Sequence, residues 1–585
     1  MPENILKVFI EKGFLLDKEM LDFLNEFGDN KIASELINKI AIISKKKVIT
    51  KTLVNENLEK IRPFLFELDN EKKKLVDKYF VNLSISLEIK KETSLENKKE
   101  NEEPTLKEKE KKNFVKVLSS PITTSQKIEV GDFIKHFRNR YNLMKKILQE
   151  KSELNNLISI DKLTGNRDFS IIGIITNKQI TKNKNVILEV EDLTGKAKLL
   201  ITKNKDDIYE KSKEILLDDV IGFKCSGSKD FLYVNDFFYP DCYLKDKKRT
   251  KEEVYVLFIS DIHVGSKTFL ENNFNKFIDW LNGQNANEKQ KEELSKIKYL
   301  FVIGDSIEGV GVYPGQEKDL AIKDIREQYE KLAGFYKKVP KYIDIIQCAG
   351  QHDAVRVAEP QPPVGDDFGK SLYEVENLYL VSNPAVVEIE NGGCIINGNH
   401  KIREGIKVLM YHGASMHSII NEIDELRLAN AHSTPAKVVK HLLLRRHLAP
   451  SHGATIYIPC KEDPMLIRDV PDILTTGDLH RTDIDSYNNV LIISNSCWQS
   501  MTAFEEKMGN VPDPCKVPIL NLKTGQVRIL DFSGDEVSFD NKDKEIIEGV
   551  VEVREVSNVK WEEGSIEEPV DLGVVNEEAV NFDKK

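Results

Sequence analysis

Between residues 253 and 535 one arrangement recurs: a short apolar run, then a polar loop. The runs are VYVLFIS, KYLFVIG, YIDIIQCAG, KVLMYHG, ILTTG and VLIISNS. Apolar runs of this length, bounded by turn residues, read as buried strands. Strands alternating with helical stretches build an α/β layered domain. In such domains functional groups collect on the loops at strand ends.

The loop residues share one chemistry. The first run is followed by Asp261-Ile262-His263, the second by Asp305 with Glu308 three residues on. The third leads to Gln351-His352-Asp353, the fourth to His412-Gly413, and ILTTG to Asp478-Leu479-His480. Ten of the eleven histidines lie beyond residue 260, in little more than half the chain. Five loops offering Asp, His or an amide make a mixed nitrogen and oxygen site. Such donors suit Mn, Fe, Zn or Ni better than Mg or Ca alone. Asp-x-His in an extended segment puts both side chains on one side, where one ion can take both. Asp305 can bridge two cations, and two cations can clamp a phosphoryl group and activate water. His352 is then free as general acid, with Asp353 expected to orient its ring.

The rest of the chain reads as separate pieces. Residues 1–80 carry apolar positions at helical spacing and predict a small N-terminal helical domain. Residues 88–112 hold eight Lys and eight Glu in 25 positions. That composition cannot bury a core, and a charged flexible linker is expected over 81–127. Helical spacing returns over 128–160, a connector with Phe133, Phe137, Tyr141, Met144 and Ile147 on its packing face. Over 165–245 the period becomes two, with five strand-like runs and an Asp-Leu-Thr-Gly turn at 192–195. Five short strands suit an OB-like β-barrel.

Seven cysteines without a CxxC pattern suggest reduced thiols and a cytoplasmic protein. No secretory signal is visible at the N-terminus, and no run of 18 apolar residues predicts a membrane span. The net charge of −11 speaks against a simple nucleic-acid coat. However, residues 536–585 alone carry −9, so this acidic tail leaves a nearly neutral body. Residues 426–461 contain no Asp or Glu and six Lys or Arg. They read either as a phosphate track that includes Arg445 and Arg446, or as an amphipathic helix with solvated charges. Arg356 and Arg481 stand beside the Asp/His motifs and are further phosphate-contact candidates. The stretch 526–532 faintly resembles a sliding-clamp peptide but reads better as a terminal strand.

The order DIH, GDSIEG, GQHD, YHG and GDLH resembles the calcineurin-like metallophosphoesterases. Their pattern is D-x-H, G-D-x-x-D/E, G-N-H-D/E, H and G-H-x-H. The wider layout resembles the small-subunit family of archaeal family-D DNA polymerases, itself related to the B-subunits of eukaryotic replicative polymerases. Segments 350–363 (GQHDAVRVAEPQPP) and 476–483 (TGDLHRTD) carry that likeness in particular. The resemblance implies a multidomain chain, with the α/β layered metallophosphoesterase domain over 253–535 preceded by the barrel and the helical domain.

It also implies a 3′→5′ DNA exonuclease that proofreads for a separate large polymerase subunit. Contact with a sliding clamp would come through that complex. Two divalent ions are implied, Mn²⁺ first among Mn²⁺, Mg²⁺, Fe²⁺, Ni²⁺ and Zn²⁺. One would be held by Asp261, His263, Asp305 and His480, the other by Asp305, Gln351, His412 and Asp478. His352 would be the catalytic acid or a phosphate contact. Two positions depart from the broad pattern: Gln351 replaces an Asn, and Asp478 replaces a His. Both replacements can still ligate. The competing expectations are a stand-alone phosphodiesterase on small substrates and a catalytically silent scaffold subunit.

Overall fold

The structure is a computed structural model. It describes residues 113–534 except 122–126, 164–167, 229–230, 285, 287, 397–399, 402–403, 503–504 and 507–509, together with the short strands Leu15–Leu16, Val48–Ile49 and Ser538–Phe539. The chain divides into two compact units, residues 1–110 and 111–585. In the first, Leu15–Leu16 and Val48–Ile49 pair as parallel strands. A wholly helical reading of residues 1–80 is corrected at those four positions. The remainder of that region, most of the charged linker and nearly all of the acidic tail lie outside the described residues.

The second unit begins with β1 (Val115–Ser119). The flexible linker expected across 81–127 is corrected over this strand. Val115 and Val117 alternate with polar neighbours and pack against a core, which gives the segment a face to bury. Helix α1 (Val130–Gln149) starts at a capping box between Glu129 and Asp132 and buries Tyr141, Met144 and Leu148. Strands β2 (Phe169–Ile180), β3 (Val186–Glu191), β4 (Lys196–Ile201), β5 (Val220–Ser228) and β6 (Phe231–Phe238) close a five-stranded barrel. A short helix, α2 (Asp206–Ser212), lies between β4 and β5. The Asp192 carboxylate accepts from the backbone N–H groups of Thr194 and Gly195, which fixes the turn between β3 and β4.

Two facing sheets follow. The elements are β7 (Tyr255–Ile259), α3 (Glu271–Leu281), β8 (Ile297–Ile303), α4 (Ile325–Tyr336), β9 (Asp344–Cys348), β10 (Leu378–Val381), β11 (Ala385–Ile389), β12 (Ile406–Met410), α5 (Met416–Glu422), α6 (Pro435–Arg445), β13 (Ile473–Thr476), β14 (Asp483–Tyr487), β15 (Val490–Ser494), β16 (Lys516–Asn521) and β17 (Val527–Asp531). One sheet runs β10-β9-β8-β7-β16-β17 and ends on Ser538–Phe539; the other runs β14-β15-β13-β12-β11-β1. Strands β7 to β10 are parallel, as are β12, β13 and β15.

Alternation along each strand sets the layers. In β7, Val256 and Phe258 enter the core between the sheets, while Leu257 and Ile259 face the layer of α3 and α4. In β12, Val408 and Met410 face the first sheet, while Leu409 faces the layer of α5 and α6. The result is a four-layer α/β/β/α sandwich. The stretch 526–532 is the terminal strand β17, paired antiparallel with β16.

Candidate metal centre

The loops leaving β7, β8, β9, β12 and β13 meet at one end of the sandwich. They bring Asp261, His263, Asp305, Gln351, His352, His412, Asp478 and His480 together. His480 Nε2 lies 3.3 Å from both Asp261 Oδ1 and His263 Nε2. His412 Nε2 lies 3.2 Å from Asp305 Oδ2 and 3.8 Å from both Asp261 Oδ1 and Asp478 Oδ1. Gln351 donates from Nε2 to Asp478 Oδ1 at 3.0 Å. His352 sits beside His263, with ring centroids 4.8 Å apart.

The backbone at the site is left-handed. Asp261, His263, Asp305, Asp478 and His480 have φ of 49°, 55°, 45°, 67° and 53°. Each such residue costs about 1–3 kcal/mol and persists only where its surroundings enforce it. The expectation that Asp-x-His is extended is thus corrected. Tight left-handed turns, rather than strand alternation, aim both side chains inward. Glycines make room for them. A Cβ on Gly304 would stand 2.7 Å from His412 Cγ, and one on Gly477 would stand 2.7 Å from Asp261 Oδ2.

The outer ring nitrogens fix the inner ones. His263 Nδ1 faces Glu308 Oε2 at 3.0 Å, His480 Nδ1 faces Glu505 Oε1 at 2.7 Å, and His412 Nδ1 faces the Ile303 carbonyl at 2.7 Å. Each acceptor keeps a proton on Nδ1, so with a cation in place of any second proton each Nε2 turns a lone pair inward. Two of these lone pairs, on His263 and His480, then oppose each other. Asp261 Oδ1, Gln351 Oε1 and His412 Nε2 are buried without a hydrogen-bond partner among the described residues. Inward ring nitrogens converging with carboxylate and amide oxygens, several of them without a donor, fit divalent cations.

The electrostatics agree. Burial pushes the Asp305 carboxyl upward, but His412 and His352 outweigh it and hold its pKa well below the usual range. Burial pulls the His412 imidazole down, while Asp305 and Asp261 drive it well above its ordinary value, so without a cation its Nε2 holds a proton that a divalent ion would displace. Negative charge is thus concentrated where water is excluded.

Other expectations are corrected. Asp353 does not orient His352. Its carboxylate accepts from the backbone N–H of Gly350 and from Tyr329 Oη, and burial first, then Asp305, pushes its pKa to about 7. His352 Nδ1 instead donates to the Glu308 carbonyl at 2.8 Å, which leaves its Nε2 available.

Arg445 is 3% exposed and pairs with Asp219 of the barrel at 3.0 Å, so it is withdrawn from any surface track. Arg446 donates to the carbonyls of Ile467 and Arg468. The run 426–461 includes α6, whose Val438, Val439, Leu442 and Leu443 are buried. Along it Arg427 pairs with Asp424 and Lys440 with Asp485. The amphipathic-helix reading describes this run. Arg356 bonds the carbonyls of Ala358 and Pro360, and Arg481 bonds that of Val511. Both remain partly exposed. Sequence reasoning missed Glu505, which lies in no motif. It also missed His417, five residues beyond His412, a spacing that offered a faint signal.

A layered α/β domain with an Asp, His and amide cage at its strand ends defines the class. The family of B-subunits of DNA polymerases alpha and epsilon matches residues 256–484. The DNA polymerase II small subunit of Archaeoglobus fulgidus is 32% identical over 538 residues, covering 91% of this chain and 98% of the relative. The chain belongs to the family of archaeal DNA polymerase II small subunits. The Pyrococcus furiosus member is 39% identical over 406 residues, which are 68% of this chain and 63% of the relative's length. Among solved structures, a novel archaeal phosphodiesterase overlaps 47% of this chain and 98% of its own at 12% identity. Its TM-score of 0.22 is too low to bear on the fold.

Proposed function

We propose that this chain is a two-metal phosphodiesterase that removes nucleotides from DNA 3′ ends and proofreads for a large polymerase subunit. The observation that carries this reading is the set of inward-facing Nε2 lone pairs backed by Glu308, Glu505 and the Ile303 carbonyl. Asp261, His263, Asp305 and His480 would hold one divalent ion; Asp305, Gln351, His412 and Asp478 would hold the other. Mn²⁺ fits this mixture of nitrogen and oxygen donors. When bound, such a pair polarises the phosphoryl group and lowers the pKa of water.

The chain's own residues supply the rest. His352, fixed through Nδ1, presents Nε2 for proton donation to the departing 3′ oxygen. Arg356 and Arg481, which follow the Gln351 and His480 motifs in sequence and remain partly exposed, would serve as phosphate contacts. Asp353 anchors the loop through the Gly350 N–H.

The test is a primer–template with a 3′ mismatch and Mn²⁺, given to the chain alone and with its large subunit. Shortening from the 3′ end is expected, abolished by Asp305→Ala and strongly slowed by His352→Ala. No degradation in either setting, while the large subunit is still bound, would mean a scaffold. Turnover of small phosphodiesters without preference for DNA would mean a general phosphodiesterase.

A further inference from the structure

Asp478 stands where the broader motif carries a histidine, and the structure sets another imidazole against it. His417 lies in the first turn of α5, with Nε2 3.3 Å from Asp478 Oδ2, an ion-pair approach to an oxygen that is buried and has no formed hydrogen bond among the described residues. Its Nδ1 is 3.3 Å from Nε2 of His432, on the turn Ala431–Ser433. The other carboxylate oxygen, Oδ1, receives Gln351 Nε2 and faces His412 Nε2. Asp478 therefore has one oxygen toward the cage and one toward His417.

A histidine ligand offers one lone pair in a fixed direction. A carboxylate offers two oxygens about a broad χ2 torsion. Exchanging one for the other loosens the ligand's direction unless one oxygen is tied. For His417 Nε2 to donate, its Nδ1 must accept, and His432 Nε2–H can supply that bond. Donation can then run one way, from His432 to His417 to Asp478. The His417 side chain is 42% exposed, so packing alone does not force this placement.

We propose that His417, oriented by His432, is a positioning residue that ties Asp478 Oδ2 and aims Oδ1 at the second metal, replacing the direction that an imidazole at position 478 would provide. The inference rests on the two-metal reading of the cage and adds residues that its motifs do not contain.

The test is a Mn²⁺ titration of the full chain, read as free Mn²⁺ by electron paramagnetic resonance, with thermal melts as a check on folding. Wild type binds two ions. His417→Ala keeps one site and weakens the other about tenfold or more, the usual effect of removing a group that orients a ligand. His417→Gln, whose amide can donate to Oδ2, recovers most of the loss, and His432→Ala shows a smaller one. In an Asp478→His background, His417→Ala makes no difference. Should H417A alone fail to fold, the H417Q titration and the comparison of D478H with D478H/H417A carry the test.

Two ions bound by H417A at wild-type affinity would overturn the proposal. So would equal losses in H417A and H417Q with the fold intact, or fewer than two ions in wild type. DNA degradation is scored separately. A chain with His417-dependent metal binding that leaves DNA intact removes the exonuclease reading and keeps this inference.

Discussion

His263 and His480 turn their Nε2 atoms toward each other at 3.3 Å, while Glu308 and Glu505 stand behind them on the Nδ1 atoms. Two lone pairs held face to face call for a cation between them. The glutamates keep that arrangement by fixing the tautomers. Glu505→Ala should therefore weaken Mn²⁺ binding by about 10–100-fold. Calorimetric titration reads this directly, and an unchanged affinity would show that Glu505 plays no such part.

Gly350 should not tolerate a side chain. A Cβ there would stand 2.5 Å from the Asp305 backbone nitrogen and 2.8 Å from His412 Nε2, and closer still to Asp305 Oδ1. Overpacking of this kind costs about 1–3 kcal/mol. Gly350→Ala should lose Mn²⁺ binding while keeping its helical and strand content by circular dichroism. Wild-type metal binding in this variant would contradict the packing described.

Arg445 should matter to folding rather than to DNA. It pairs with Asp219 where both side chains are buried, so removing one leaves the other charge uncompensated. Arg445→Ala should destabilise by about 3–5 kcal/mol. An Arg445→Met/Asp219→Leu pair should be far less harmful. The salt dependence of DNA binding by the folded variant should not change. A slope reduced by about one would return Arg445 to the phosphate contacts.

Acid should destabilise the junction where α1 meets the sandwich. Asp463 accepts from Arg140 at 2.8 Å and faces His447 Nε2 at 2.9 Å. Burial, then Arg140, lowers the His447 pKa to about 4. The unfolded chain, with His near 6.5, binds the proton first, so stability falls as pH drops from about 6.5 toward 4. Burial opposes ionisation of Asp463, but His447 and Arg140 hold its pKa well below the ordinary value. Its contribution is present above about pH 4 and is lost below that. Thermal melts between pH 7.5 and 4.5 should show a falling midpoint. His447→Gln should flatten the upper part of that slope, and an unaltered slope would contradict the assignment.

Much of the cage was legible because its residues follow apolar strands. Parallel strands end on one side, so Asp261, Asp305, Gln351, His412 and Asp478 had to converge once the runs were read as one layered domain. Backbone conformation was not legible, since nothing in Asp-x-His announces a left-handed turn at both residues. The neighbours of Asp353 and Arg445 were also hidden. A carboxylate beside a histidine in sequence looks like its partner, yet Asp353 turns to the Gly350 backbone. A run without acids looks like a phosphate track, yet its counter-charges Asp219 and Asp485 come from other elements. Glu505 and His417 reach the site from segments that carry no motif.

The most direct test of the account is diffraction from crystals grown with Mn²⁺, measured at the manganese edge. Two anomalous peaks are predicted, one among Asp261, His263, Asp305 and His480, the other among Asp305, Gln351, His412 and Asp478. A cage with no peak, or peaks elsewhere on the chain, would contradict it.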